Sequence, residues 1–397
     1  MKNLSTLAQS VHASTTIAID TKFKQMQADG LDVIGFGVGQ PDFNTPENIK
    51  QAGIRAIQNN VTKYTPTSGT VDVRKAVAFR LKEDYGLVYG TDEICVTAGA
   101  KHVLYAVLKT LVEPGDEVIL TAPYWVSYYE LIKMVGGVPV VVNTTEESGF
   151  KMSGDQLRAA ITPKTKALLL NSPSNPTGMM YDRAQLEEVA AICVENDLYV
   201  VADEIYDKLI FDGREFVSFP TLGEEVKKRT ILVNGVSKTY AMTGWRIGFA
   251  AADKAIIKVM SNYLSHATSG TCAISQAAAV EAFTGPQEEL EVMRQAFETR
   301  RNFLYERMSQ IADVHPVRSE ATFYMMMNLE KLVGRTMYGV TIHDADDFAD
   351  VFLKEGHVAV VPCTGFGAPN YVRWSFAVSM ETIEEGLNRL EKFLKNA

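Results

Sequence analysis

Short aliphatic and β-branched runs alternate with longer stretches of helical periodicity through most of this chain. The runs at 94–97, 117–121, 138–142, 166–170, 199–202, 230–233 and 247–251 predict strands. Segments such as EVILT, ALLL and YVVA are apolar throughout instead of alternating, the pattern of strands covered on both faces in a parallel sheet. Between them, 99–112, 124–135 and 182–196 read as helices. Asp182 predicts an N-cap, and Gln185 three residues on completes a capping box. The βαβα rhythm predicts an α/β fold, a three-layer αβα sandwich around a mainly parallel sheet.

The pattern changes near residue 285. Gly285-Pro286 interrupts the chain, and 287–310 then reads as one long charged helix with a mostly apolar face of Leu290, Met293, Phe297, Arg300 and Leu304. Strands are predicted at TFYMMMNLE, HVAVVP and YVRWSFA, with a closing helix over 380–395. These elements predict a second, smaller α+β domain. The N-terminal segment ends in the turn-rich Gly39-Gln40-Pro41-Asp42 and is expected to pack with it. The expected division is a large domain at 46–285 and a small domain from 1–45 plus 286–397.

Composition narrows the classes. A chain of 397 residues, at about 150 residues per domain, has room for two or three domains and a sizeable core. Hydrophobic residues at 46% and charged residues at 22% exclude long disorder and collagen-like structure. Lys and Arg number 39 against 48 Asp and Glu, a net charge of −9. That argues against general binding to nucleic acid or anionic membranes, while leaving room for a local basic pocket. Cys95, Cys193, Cys272 and Cys363 form no C-x-x-C pair, so neither a zinc ribbon nor a redox pair is indicated, and no metal site is expected. The N-terminus lacks an unbroken apolar core of the signal-peptide kind. No stretch approaches the ~18 apolar residues of a membrane span. A reducing, cytoplasmic setting is the expectation, and the N-x-S/T triplets at Asn60 and Asn143 are then chance matches.

Four segments carry candidate chemistry. Asn171-Ser172-Pro173-Ser174-Asn175-Pro176-Thr177-Gly178 follows a predicted strand directly. Two prolines and a glycine make a rigid loop at a strand's C-terminal end, where open α/β sheets bind ligands. Asp203-Glu204-Ile205-Tyr206 places two acids after a buried strand, so at least one needs a cationic partner or a capping role. In Ser237-Lys238-Thr239-Tyr240-Ala241-Met242-Thr243-Gly244-Trp245-Arg246-Ile247-Gly248, Lys238 follows a strand among small residues. Such a lysine has a lowered pKa and can form a Schiff base. Arg246, in a Gly-x-Arg-x-Gly context, suits a phosphate. Finally, Thr97-Ala98-Gly99-Ala100-Lys101 passes from strand to helix through small residues, and its free N–H groups make an anion site. Tyr64 and Trp125 are aromatics in Pro- or Gly-containing loops, which pack more often than they bind.

Taken together, SPSNPTG, ADEIYDKL, SKTYAMTGWRIG and YVRWSFA resemble the class I/II aminotransferases of pyridoxal-phosphate fold type I, over nearly the whole chain. STTIAI, GVGQPDFNTP, KYTPTSG, GAKHVL and PYWVSY resemble more closely the bacterial aspartate aminotransferase subgroup. The resemblance implies that Lys238 bonds pyridoxal 5′-phosphate and moves the substrate Cα proton, and that Asp203 keeps the ring nitrogen protonated. It implies that Tyr206 and Asn175 hydrogen-bond the ring oxygen and that Trp125 stacks on the ring. Ala100, Lys101, Ser237 and Arg246 would hold the phosphate, with Tyr64 reaching the phosphate of the neighbouring subunit in a homodimer. Arg373 would clamp the substrate α-carboxylate, helped by Asn175 and the backbone of Gly39, and Lys101 would meet the distal carboxylate.

The implied activity moves an amino group between L-aspartate, or a similar dicarboxylic amino acid, and 2-oxoglutarate in ping-pong fashion, with small-domain closure over the substrate. Some subgroup members also act on prephenate, with a contribution from a lysine just before STTIAI. Here His12 and Ala13 occupy that region, which counts against prephenate. Gln40 stands where such turns more often carry Glu. The rival within the class is another fold-type-I enzyme: an aromatic or alanine aminotransferase, a carbon–sulfur lyase or a decarboxylating acyltransferase. Outside it, Ser148-Gly149-Phe150-Lys151 fits S-x-x-K but lacks S-D-N and K-T-G partners. Gly35-Phe36-Gly37-Val38-Gly39 lacks G-x-G-x-x-G, which argues against a dinucleotide oxidoreductase. A cofactor-sensing regulator would need a basic DNA-binding segment, and the chain has none to spare.

Overall fold

The computed structural model describes residues 2–12 and 15–396. Its centre is a seven-stranded sheet: β1 (Ile94–Thr97), β2 (Glu117–Ala122), β3 (Val138–Asn143), β4 (Thr165–Asn171), β5 (Tyr199–Asp203), β6 (Thr230–Gly235) and β7 (Gly248–Ala251). The spatial order is β1-β7-β6-β5-β4-β2-β3. All neighbours are parallel except β7, which runs antiparallel to both β1 and β6. The apolar runs are largely buried, except in the edge strand β3, where Val138 is exposed and residues 139–141 are half-buried. Helix Ala100–Leu111 covers one face with Val103, Leu104 and Val107, and helix Arg183–Glu195 covers the other with Leu186, Val189 and Ile192. The Asp182 cap and its box with Gln185 are both formed.

Register decides what the sheet presents. Asn171 pairs with Asp203, and Asp203 with Val233, so three neighbouring strands end in one row. The β7 strand brings Gly248 beside Thr97 and Gly235. A Cβ on Gly248 would lie 2.3 Å from the Ala100 nitrogen and 2.5 Å from the Gly99 carbonyl carbon. Only glycine lets the start of helix Ala100–Leu111 sit this close to the sheet edge.

A second, four-stranded antiparallel sheet runs Val361–Pro362, Tyr371–Ser375, Tyr324–Asn328, His315–Val317. The predicted HVAVVP strand is two short pieces, Val358–Ala359 and Val361–Pro362. The first pairs in parallel with Ile34–Gly35, and Phe36 then packs 4.5 Å from Trp374, centroid to centroid. Helix Glu288–Met308 buries Met293, Phe297, Leu304 and Met308 against this sheet's core. Arg300 lies on the expected face, over the Phe43 and Phe297 rings, and the neighbouring Arg301 is fully buried. Arg301 bonds Asp212 at 2.8 and 3.0 Å, whereas Arg300 pairs with Asp42 nearer the surface. Helix Met380–Lys395 closes the chain as predicted.

No described helix is long and apolar enough to cross a membrane. Cys95, Cys193 and Cys363 are buried, Cys272 is exposed, and all four are free. Ser148 and Lys151 lie in a turn, with the Lys151 amine 3.5 Å from Glu320. Ala13 and Ser14 lie outside the described residues, as do the side chains of residues 15–18, while Ile19 is buried.

Phe297 meets Phe43, Phe323 and Phe376 at ring distances of 5.4–6.5 Å and is fully buried. Phe297→Ala is expected to destabilise the protein by about 3–5 kcal/mol, measured by urea unfolding. A loss within experimental error would show that this core does not support the helix.

Candidate active site

A cavity of ≈ 360 Å³ opens at the C-terminal edge of β4, β5 and β6. Its lining includes Gly39, Ala100, Lys101, Trp125, Asn175, Asp203, Tyr206, Ser237, Lys238, Arg246 and Arg373. Every candidate residue from the sequence therefore meets in one place except Tyr64. Tyr64 is fully exposed and lies away from this chain's own cavity.

Asp203 ends β5 and is buried. Its Oδ2 accepts from the Tyr128 hydroxyl at 2.7 Å and its Oδ1 from the Ile205 N–H at 3.2 Å. Burial nevertheless raises its pKa to about 6, partly offset by those donors and by Lys238. Lys238 stands two residues beyond the buried Val236, in the turn after β6. Burial, then the like charges of Arg373 and Arg246, lower its amine to about 8, with Asp203 opposing. The Lys238 Nζ donates to the Gly39 carbonyl at 2.6 Å.

Arg373 sits in strand Tyr371–Ser375 with only 2% exposure. It donates from Nη1 to Asn175 Oδ1 at 2.9 Å and from Nη2 to the Gly37 carbonyl at 3.1 Å, while its Nε has no partner among the described residues. The guanidinium lies 4.1 Å over the Tyr324 ring, which fixes its plane. Asn175 is held by its own N–H, which donates to Asn171 Oδ1 at 3.0 Å. The Asn171 amide in turn donates to the Asp203 carbonyl at 2.9 Å. The SPSNPTG loop is thus tied to the row of strand ends.

At the other end of the cavity, Gly99 has φ +89° and precedes helix Ala100–Leu111. A Cβ there would meet Arg246 Nη2 at 2.4 Å. Arg246 adopts the left-handed conformation, φ 56°, and donates to the Thr243 and Ala98 carbonyls at 2.9 and 3.3 Å. A guanidinium, a helix N-terminus and the buried Ser237 therefore share one corner, an arrangement suited to an anion. The Lys101 amine lies 4.7 Å from the Trp125 ring centroid, and burial followed by Arg246 lowers its pKa.

Tyr128 and Tyr324 were not among the candidates from the sequence, and Asn171 was read there only as part of its loop. Tyr128 is three residues after Trp125, hence on the same helical side, which is a usable signal. Tyr324 comes from the four-stranded sheet and bonds the Tyr206 hydroxyl at 3.3 Å, a pairing only tertiary structure creates.

Comparison with known proteins agrees with this geometry. The family described as Aminotransferase class I and II matches residues 31–390. The chain is 47% identical over 382 residues to an aspartate aminotransferase of Bacillus sp. (strain YM-2), covering 96% of each. It superposes on the aspartate aminotransferase of Rhizobium meliloti with a TM-score of 0.96 at 37% identity, covering 100% of both chains. The Thermus thermophilus aspartate aminotransferase, in a structure with maleate, gives 0.93 at 38% identity, covering 99% of this chain and 100% of that one. The chain belongs to aminotransferase class I and II. It is a pyridoxal-phosphate-dependent aminotransferase with the fold-type-I architecture.

Only a neutral amine attacks a carbonyl, so Lys238 should react as its proton leaves. Trapping of an aldehyde at Lys238 in the ligand-free protein, followed by borohydride and peptide mapping, is expected to rise with a midpoint near pH 8. A midpoint at the ordinary lysine value would contradict the burial of this amine.

Proposed function

We propose that this enzyme moves the amino group between L-aspartate, or a similar dicarboxylic amino acid, and 2-oxoglutarate, in ping-pong order. The observation that carries the reading is one cavity holding a lowered lysine, a buried aspartate and two cationic clamps at separate ends. The dimensions and donor chemistry fit pyridoxal phosphate. Gly99 and Gly248 leave room where a Cβ would collide with Arg246 or with the helix start, so an anion corner exists at the depth of the strand ends.

In this reading, Ala100, Lys101, Ser237 and Arg246 hold the phosphate. Asp203 holds the protonated ring nitrogen, and the ring's presence lowers the cost of ionising this carboxyl. Tyr206 and Asn175 hydrogen-bond the ring oxygen, Trp125 stacks on the ring, and Lys238 is the point of covalent attachment. When bound, the cofactor supplies an electron sink for the pair left at the substrate Cα.

The remaining chemistry belongs to the chain. Arg373 exchanges its bonds to Asn175 and Gly37 for a two-pronged grip on the substrate α-carboxylate. Its partnerless Nε adds a donor. Asn175 and the Gly39 backbone complete that end. Lys101 meets the distal carboxylate, and its stacking against Trp125 places the charge beside the ring plane. Maleate, in the Thermus thermophilus structure, is a four-carbon dicarboxylate, which is consistent with such a clamp pair. Lys238, half unprotonated near pH 8, takes the Cα proton as base and returns it as acid at the cofactor end. The donor leaves as a 2-oxo acid, and a second 2-oxo acid collects the amino group by the reverse steps.

The assembly is a homodimer with shared sites. Tyr64 supports this: it is fully exposed on one chain, in a loop tied down by Gln276, which bonds Thr65 and the Thr271 carbonyl. A structured loop that presents a bare tyrosine suits a phosphate across a subunit boundary. The small domain, 1–45 plus 286–397, carries Arg373 and closes over the substrate against the large domain, 46–285. Four free cysteines suit a reducing, cytoplasmic setting.

Wild-type protein repurified with pyridoxal phosphate is expected to be yellow, and Lys238→Ala to lose that absorbance band. A colourless wild type refutes the reading. Lys101→Ala is expected to raise KM for aspartate by about tenfold or more, the scale of one charged hydrogen bond, with a far smaller change for alanine. Equal effects on both donors would remove Lys101 as the distal clamp.

A further inference from the structure

Asp207 does not line the cavity, yet its carboxylate joins the two turns that carry the proposed catalytic groups. It follows Tyr206 directly, and its N–H donates to the Glu204 carbonyl at 3.0 Å, so it belongs to the turn after β5. Its side chain is buried, with 7% exposure. Oδ2 accepts from the Tyr85 hydroxyl at 2.6 Å and from the Asn234 amide at 2.9 Å. Oδ1 faces the Thr239 hydroxyl at 3.4 Å. Asn234 lies in β6, one residue before its end, and Thr239 is the residue after Lys238. The Asn234 side-chain oxygen also accepts from the Gly235 N–H at 2.7 Å, which stiffens the same bend.

The chemistry of this knot is selective. An ionised carboxylate only accepts, and it meets three donors from three elements. An asparagine of the same size keeps an oxygen for Tyr85 and Asn234 but turns its NH₂ group toward Thr239, whose hydroxyl must then accept instead of donate. Nearby, Lys208 bonds Asp84 at 2.9 Å and lies over the Tyr85 ring at 4.9 Å, supplying positive charge beside the buried acid.

Resting on the function proposed above, we infer that Asp207 is a positioning residue, holding the Lys238 turn in register against the turn that bears Asp203 and Tyr206. It acts on attachment of the cofactor, where the Lys238 nitrogen forms a double bond to the aldehyde carbon and the aldehyde oxygen leaves as water. It acts again when the same amine moves the Cα proton. It does not act on the phosphate corner, which Gly99, Arg246 and helix Ala100–Leu111 build separately.

The test compares Asp207→Asn and Thr239→Val with the wild-type full-length enzyme. Expected in both variants is a fall in kcat with aspartate, about tenfold for Asp207→Asn, with KM within about twofold. Re-formation of the cofactor absorbance band after cofactor removal is expected to slow in parallel. Affinity for pyridoxamine 5′-phosphate, which occupies the cavity without bonding Lys238, is expected to stay within about twofold of wild type. Unchanged kcat and band formation in both variants would overturn the inference. So would a loss of pyridoxamine-phosphate affinity that matches the loss of rate, because that is general collapse of the site. If Asp207→Asn does not fold, Thr239→Val, which removes one hydroxyl at the Lys238 end, decides alone. A wild-type protein that forms no band at all would refute the proposed function instead.

Discussion

Asp203 and the turn bearing Lys238 follow neighbouring parallel strands, where burial raises the carboxyl to about 6 and lowers the amine to about 8. Neither charge is well solvated there, and each is held by neighbours that only this fold supplies. Tyr128 and the Ile205 N–H support the acid, and the Gly39 carbonyl receives the amine. The rest of the site is arranged around that pair. Arg373 and Arg246 both keep the amine low, so one cluster of like charges tunes Lys238 and offers donors suited to anions.

The single antiparallel strand has a clear physical role. Inserting β7 between β1 and β6 places Gly248 against the start of helix Ala100–Leu111 and sets Arg246 at the strand's entry. Two missing Cβ atoms, at Gly99 and Gly248, then create the anion corner. This arrangement gives an acidic protein a corner suited to an anion. The chain's net charge is −9, while the cavity is lined by the cations Lys101, Lys238, Arg246 and Arg373.

Much of this was legible along the chain, for identifiable reasons. Strands buried on both faces read as unbroken apolar runs, so all seven central strands were placed, β1 with its observed ends. The Asp182–Gln185 box is a local device and was read correctly. Arg300 was assigned to the apolar face of its helix and stacks there on Phe297, whereas the full burial of Arg301 was not read. A bidentate partner, Asp212, lies 89 positions away and makes burial of that charge tolerable. Tyr324 and Tyr128 escaped notice because aromatic residues in strands and helices usually serve packing.

By itself, the order of residues determined the strand–helix rhythm, the caps, the rigid loop after β4 and the types of side chain available for chemistry. These are local matters, set by backbone sterics, periodicity and nearest neighbours. Tertiary structure alone decided which of those side chains meet. The parallel register aligns Asn171, Asp203 and Val233, the second sheet delivers Arg373 and Tyr324, and Tyr64 is left exposed outside the cavity lining. The pKa values of Lys238 and Asp203 also belong to this level, because burial and distant charges do not exist until the chain closes on itself.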